Sequence, residues 1–436
     1  MAISKIILNG VIQMDLTQDT VTPSTVLSGE TATGADGVRF TGTYSGGRTE
    51  AIDNDVTFID YDGTILYSYS ATEFASLNSL PSNPSHSGLT AQGWNWTLSD
   101  AKAYVAKYGS LCIGQSYITD DGKTRLYLEV YDLCQTIYLN GAIQGSVEVD
   151  WGDGSSVETL TGYGTATPNS YSHVYSSPGY YEISIDVPEN NIFAFFTYST
   201  KPIIHGDYAS ASANYAYGYG LKHVRLGNNI QLSMYAFADT GLRDITIPTT
   251  VSFSVDGVYV FWYCYDLTGI VLPNSCSVIK ENYFYYNNSL RKISIPKTVN
   301  TISNYAFNQC STLNQITIPE GVTSIRDYCF QYCTNLRTVV IPDTATEIRY
   351  YAFNQVMNMV TLTIPDSVLT IQQAFSTLAG LKELHFKSTT PPTISSASTF
   401  SSLSTSCIIY VPTGSLSDYT SETNYPSSAT YTYVEE

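Results

Sequence analysis

A proline returns at a fixed interval through the second half of this chain, and that interval limits the folds open to it more than any other feature. Pro296, Pro319, Pro342 and Pro365 each follow the last by 23 residues, with Pro273 one period earlier and Pro248 slightly out of phase. Self-similarity at a period of roughly 20 to 50 residues is the mark of stacked repeats, each contacting only its neighbours. The rungs read LRKISIPKTVNTISNYAFNQCST from Leu290, LNQITIPEGVTSIRDYCFQYCTN from Leu313 and LRTVVIPDTATEIRYYAFNQVMN from Leu336, with imperfect copies from Leu221, Leu242, Leu267, Met359 and Leu381. Leu290, Ile293 and Ile295 suit a short strand facing inward. The proline ends that strand because it has no N–H for a ladder. The rung then turns back to a pair formed by a core residue and a Phe: Ala236-Phe237, Val260-Phe261, Tyr283-Phe284, Ala306-Phe307, Cys329-Phe330, Ala352-Phe353 and Ala374-Phe375. Each Phe is expected to close one layer of core, with Phe307, Phe330 and Phe353 stacked inside and the rung strands joined in one parallel sheet. Three residues further on, Cys264, Asn287, Cys310, Cys333 and Val356 form a column of small positions, whose thiols read as buried packing groups rather than redox or metal ligands.

Composition narrows the function. At 436 residues the chain exceeds one ordinary core, so several domains or a repeat array are expected. Its formal charge is -18 although only 13% of residues are charged, which disfavours phosphate backbones and anionic lipid as partners. No run of about eighteen apolar residues exists for membrane insertion. The stretch Met1–Gly10 lacks the apolar length of an export leader, so leader-driven secretion is not expected. Thirty-seven tyrosines amid many Ser and Thr give a surface of amphipathic rings and hydroxyls suited to recognition. Eight cysteines, far apart and without a CxxC pair, argue against zinc and against a disulfide framework.

The IxIPxxVxxIxxxAFxxC pattern resembles the BspA-type leucine-rich repeats of bacterial surface proteins and gut-associated phages, over about residues 221 to 386. The segment from Thr389, TTPPTISSASTFSSLSTSCIIYVPTGSLSDY, is similar to the one that closes such arrays. Upstream, SVEVDWGDGSSVETL and SHVYSSPGYYEISIDV alternate as strands of a β-sandwich do. Their VDWGDG and HxYxxxGxYxIxI motifs resemble the PKD domain, an immunoglobulin-like module. Asp150 and Asp153 read as turn-stabilising rather than as calcium ligands, and His173 as a structural hydrogen-bonding residue. Residues 51 to 135 hold a hairpin turn at Asp62-Gly63, a helix over Leu98 to Tyr108 opened by Ser99 or Asp100, and a second turn at Asp121-Gly122. Trp94 and Trp96 read as packing residues. The leading Asp15-Leu16-Thr17, Asp19-Thr20-Val21-Thr22 and Gly29-Glu30-Thr31-Ala32 resemble the first segment of phage tail and fibre-associated proteins, which implies a join to the virion or a role in oligomeric register.

The architecture expected is mainly β: a leucine-rich-repeat solenoid of about 23-residue rungs, preceded by an immunoglobulin-like (PKD-like) β-sandwich and small N-terminal β-rich modules. Residues 1–50 are a virion-attachment or oligomerisation segment, 51–108 a small α+β module, 109–188 the sandwich, 189–220 a linker and solenoid N-cap, 221–386 the repeats and 387–436 a C-terminal cap.

GxSxG, HExxH, P-loop and GxGxxG spacings are absent, and the five histidines are scattered. No enzyme, metal or cofactor is expected, although two carboxylates from distant rungs could still cleave a glycoside. The resemblances imply a host-surface recognition protein of a bacteriophage tail or fibre, located in the virion. Its partners would be a host cell-surface glycan or protein and, through the leading segment, other virion proteins, with a homo-oligomer allowed and nucleic acid and membrane insertion excluded. The alternatives are a BspA-like adhesin of the bacterial surface and a fibre-borne polysaccharide depolymerase. Tyr235, Tyr259, Tyr305, Tyr328 and Tyr351 each precede the core residue and should form a ladder. In VYVFWYCYD and NYFYYNNS, Trp262, Tyr263, Tyr265, Tyr285 and Tyr286 cannot all face inward if Phe261 and Phe284 do. They form the candidate receptor-binding patch. Lys222, Arg243, Arg291, Arg337 and Lys382, a basic column on the rung strands, offer a competing surface for an acidic glycan, one that salt would weaken.

Overall fold

The computed structural model describes residues 56–131, 135–198, 202–206 and 220–436, and before them four short strands, Lys5–Leu8 paired with Val11–Asp15 and Thr31–Thr33 with Arg39–Thr41. Of the leading-segment residues, Leu16, Thr17, Asp19 to Thr22 and Gly29-Glu30 lie outside the described residues.

The repeats stack as their period requires. Rung strands Asp244–Thr246, Gly269–Val271, Lys292–Ser294, Gln315–Thr317 and Thr338–Val340 succeed one another, followed by Thr361–Ile364, Glu383–Phe386, Ile408–Val411 and Thr432–Glu435. A second series of two-residue parallel strands forms two ladders, Val278–Ile279 with Thr301–Ile302 and then Ser324–Ile325 through Glu347–Ile348 and Thr370–Ile371 to Thr393–Ile394. One uninterrupted rung sheet is not formed. The strands hydrogen-bond in sets of two, such as Gly269–Val271 with Lys292–Ser294, and in one set of four at the carboxy-terminal end. The proline that follows cuts most strands to three residues and removes one ladder donor per rung. Phe307, Phe330 and Phe353 have no exposed surface and stack face to face at 5.5 and 5.4 Å. Their column extends from Phe237 to Phe400. The ladder also runs past Phe386, because Ile408–Val411 and Thr432–Glu435 add parallel strands to it. Residues 387–436 thus prolong the stack.

At its other end the stack is fused to the β unit before it. Leu221–Arg225 pairs with Thr124–Val130, and Ile192–Phe195 pairs with both Thr136–Asp150 and Ile230–Leu232. The two share one sheet of eleven strands and a single hydrophobic core that runs from Leu126 to Tyr419. Where described, the stretch read as a linker is therefore sheet: Ile204–Gly206 pairs with Thr136–Asp150 as well. The division at 108/109 also moves. Leu111–Thr119 is the inner strand of the first module, parallel to Val56–Ile59 and antiparallel to Leu89–Trp94, and is buried along almost all its length. The Asp121-Gly122 turn links two sheets instead of closing a hairpin, whereas the Asp62-Gly63 turn does join paired strands, Val56–Ile59 and Ile65–Tyr69. The helix spans Leu98–Tyr108 as read, but Thr97 caps it rather than Ser99 or Asp100: its hydroxyl accepts from the Asp100 N–H.

The first module lies across the rung strands. Trp96 is buried among its core residues, with its Nε1 donating to the Ile295 carbonyl at 3.0 Å. Ser294 Oγ donates to the Cys112 carbonyl at 2.8 Å, and Lys107 forms ion pairs with Glu320 and Asp343. Gly63 and Gly269 meet so closely that a Cβ on Gly269 would lie 2.2 Å from the Gly63 Cα. The rung strands from Asp244–Thr246 to Gln315–Thr317 are thereby covered, which leaves the turn side and the last rungs open.

Candidate functional site

The turn side is built from an unusual backbone. Six successive rungs each hold two non-glycine residues in left-handed conformation four positions apart, among them Tyr259 (φ 60) and Tyr263 (φ 59), Asn282 (φ 56) and Tyr286 (φ 65), and Tyr328 (φ 59) and Tyr332 (φ 61). Such a conformation costs roughly 1 to 2 kcal/mol per residue with a Cβ. What offsets it is a third inter-rung ladder: the N–H groups of Tyr305, Phe307 and Gln309 donate to the carbonyls of Asp327, Cys329 and Gln331 at 3.0, 2.9 and 2.8 Å. The intervening N–H groups of Ala306 and Asn308 close turns within the rung. This alternation points the Phe inward and the two left-handed side chains outward, one above the other from rung to rung.

The outward columns are largely aromatic. Tyr235 stacks on Tyr259 at 4.7 Å, and Tyr305, Tyr328 and Tyr351 stack in turn at 4.7 and 5.3 Å. Asn282 interrupts this ladder between Tyr259 and Tyr305. The five candidate patch residues come together as one half-buried cluster. Trp262 meets Tyr263 edge to face at 4.1 Å, Tyr263 stacks on Tyr286 at 4.9 Å, and Tyr265 and Tyr285 lie 5.9 and 6.0 Å from Tyr286. Trp262 also adjoins Tyr235 and Tyr259 at 6.2 and 6.1 Å, so the patch is continuous with the ladder. Edge-to-face and offset stacks of this kind fix ring positions before any ligand arrives.

Beside the patch, the Asp239 N–H donates to the Trp262 carbonyl at 2.7 Å. Asp239 is 4% exposed, and burial pushes its carboxyl up to about 6. Its folded-state value thus lies above the unfolded one, so folding favours the protonated acid. Stability rises as pH falls from about 6 towards 4. At pH 7 Asp239→Asn, which tolerates the left-handed backbone, should stabilise the chain by up to about 3 kcal/mol, and by little at pH 4. Thermal melts of both proteins at the two pH values check this.

The remaining sequence candidates are structural. Cys264, Cys310 and Cys333 donate their thiols to the carbonyls of Phe237, Phe284 and Phe307, all at 3.1 Å, and burial pushes the first two up to about 12. Asp150 and Asp153 accept the N–H groups of Gly152 and Ser155 within their turn. Bonds from Ser155 and His173 hold the Asp153 carboxyl well below the usual range, and His173 stacks on Trp151 at 4.8 Å. In the basic column Arg243, Arg291, Arg337 and Lys382 are exposed, while Lys222 sits 3.7 Å from Glu129. Thr268, Asn314 and Val360 separate Arg243, Arg291, Arg337 and Lys382, so those four cations recur at about 10 Å, a full screening length in physiological salt. The sequence reading missed the module's coverage of the rung face. The one signal it offered was the proline column, whose missing N–H groups leave carbonyls for another element to cap.

Comparison with known proteins places the repeats. The model of the BspA type leucine rich repeat region (6 copies) matches residues 257–382 and 300–419. No curated protein matches the chain. Among solved structures, the chain is similar to a leucine rich cell surface protein from Faecalibacterium prausnitzii, at 26% identity and a TM-score of 0.30, over 40% of this chain and 45% of that one. The T. pallidum Leucine Rich Repeat protein is 24% identical with a TM-score of 0.26, over 29% and 64%. A leucine-rich repeat protein from Bacteroides ovatus is 16% identical with a TM-score of 0.26, over 50% and 76%. The chain spans under two thirds of the length of the first two. Its carboxy-terminal half carries BspA-type leucine-rich repeats.

Proposed function

We propose that this chain is a non-catalytic surface-recognition protein of a bacteriophage tail or fibre, which holds a glycan or protein of the host cell surface on its aromatic turn face. The observation that carries the reading is the cluster of Trp262, Tyr263, Tyr265, Tyr285 and Tyr286, held by a left-handed ladder whose backbone hydrogen bonds are already made within the fold. Rings so fixed lose little entropy on binding. The BspA-type repeats support a surface role, and no helix among the described residues is long and apolar enough to cross a membrane. The virion location rests on the likeness of the leading segment to tail and fibre proteins. On this reading residues 1–50 join other virion proteins, and the β unit after residue 119 is a PKD-like spacer made rigid by its shared sheet. Changing Trp262, Tyr263 and Tyr286 together to Ser should abolish attachment of the purified chain to host cells while circular dichroism and melting show a retained fold. Undiminished attachment by that folded variant contradicts the reading.

A further inference from the structure

The proline column leaves a row of carbonyls without rung partners. In a parallel ladder a residue donates to the carbonyl just before its opposite number and accepts from the N–H just after it. Leu272, opposite Ile295, donates to the Ser294 carbonyl at 3.0 Å; its own carbonyl then meets residue 296, a proline with no N–H. The same register sets Ile295 against Pro319, Ile318 against Pro342 and Ile341 against Pro365. It ends at Ile364, where the facing residue is Lys387, and there the N–H does donate to the carbonyl at 3.0 Å.

Of the four carbonyls from Leu272 to Ile341, the first three are capped by the docked module. Asn95 Nδ2 donates to Leu272 at 3.1 Å, Trp96 Nε1 to Ile295 at 3.0 Å and the Tyr104 hydroxyl to Ile318 at 3.0 Å. The helix that supplies Tyr104 stops at Tyr108. Ile341, the last of the four, lines an open groove of about 740 Å³ between that helix end and the strands of the next rungs.

We infer that this groove is a second binding site, which takes a neutral glycan chain. Tyr108, half-buried at the helix end, supplies aromatic surface for the C–H face of a sugar ring. Thr363 is an exposed hydroxyl that both donates and accepts, the Thr361 hydroxyl already donates to Glu383 and is left to accept, and Asp366 and the Ile341 carbonyl accept. A polyanion is poorly matched, because Lys107 is already paired with Glu320 and Asp343, Lys387 with Glu436, and the remaining cation of the lining, Arg337, shares it with the carboxylate of Asp366. The docked module shows what this face accepts: ring-borne and amide donors aimed at the carbonyl row. The site shares with the proposed function only the premise of surface recognition, since it lies on the strand side of the rungs and uses none of the turn-face aromatics.

The test is a printed array of neutral and acidic bacterial oligosaccharides probed with the full chain, followed by calorimetric titration of the strongest neutral sugar. Thr363→Arg with Asp366→Arg fills the groove from two exposed positions, and Thr363→Ala removes a hydroxyl without adding bulk. Capture of a neutral sugar, weakened roughly tenfold or more by the double variant and less by Thr363→Ala at unchanged melting temperature, supports the site. No capture, capture of acidic sugars alone, or capture that the folded double variant retains overturns it. In each of those cases the surface-recognition reading still stands or falls on cell attachment by the Trp262, Tyr263 and Tyr286 variant, which leaves the groove intact.

Discussion

Replacing Phe330 by Ala is expected to cost the chain about 3 to 5 kcal/mol, the usual loss on emptying a fully buried aromatic site. Phe330 has no exposed surface and is stacked on both faces, by Phe307 above and Phe353 below. A rung contacts only its neighbours, so few side chains are placed to collapse into the gap. Tyr332, two residues on and 43% exposed, provides the control. Tyr332→Ala should cost less than about 1 kcal/mol, with relief of its left-handed strain absent because alanine keeps a Cβ. Urea midpoints of the three proteins decide the matter. A Phe330 variant within 1 kcal/mol of the parent would mean the ring column is not the core of the stack.

The second large effect concerns the docked module. Trp96→Ala removes a side chain that is 4% exposed, packs at 5.3 Å against Tyr104 and caps the Ile295 carbonyl. The cavity alone should cost about 3 to 5 kcal/mol, and the uncapped carbonyl adds about 1 to 3. Trp96→Phe keeps most of the ring and loses the N–H, so the smaller second contribution should dominate there. Hydrogen exchange locates the damage: protection of Leu111–Thr119 should fall while that of Glu383–Phe386 stays. Equal loss in both strands would show that the module and the far rungs unfold as one unit.

The repeats were legible because one mechanism fixes them rung after rung. Each rung states its proline, its Phe and its small residue at the same spacing, and the ladders, the Phe column and the tyrosine stacks follow from that. The patch was legible for a negative reason: with Phe261 and Phe284 turned inward, five neighbouring rings had no inward place. The module's position was not legible. Asn95 finds its partner 177 residues away and Tyr104 214 residues away, and no local periodicity encodes such a pairing. Leu111–Thr119 misled for a related reason. An apolar run of that length fits the inner strand of either neighbouring sheet equally well, and only its burial on both faces assigns it to the first. The helix bounds were legible but its cap was not, because Thr97, Ser99 and Asp100 can all cap, and it is the Thr97 hydroxyl that takes the bond.

Recognition without catalysis is most directly tested by one incubation of the labelled, purified chain with intact host cells, in which bound protein and sugar released into the medium are read together. The account predicts saturable retention on the cells, lost in the Trp262, Tyr263 and Tyr286 variant, with no release of reducing sugar above that of cells alone. Release of oligosaccharide that grows with time and stops when a single carboxylate is changed would contradict it, and would make the chain a depolymerase.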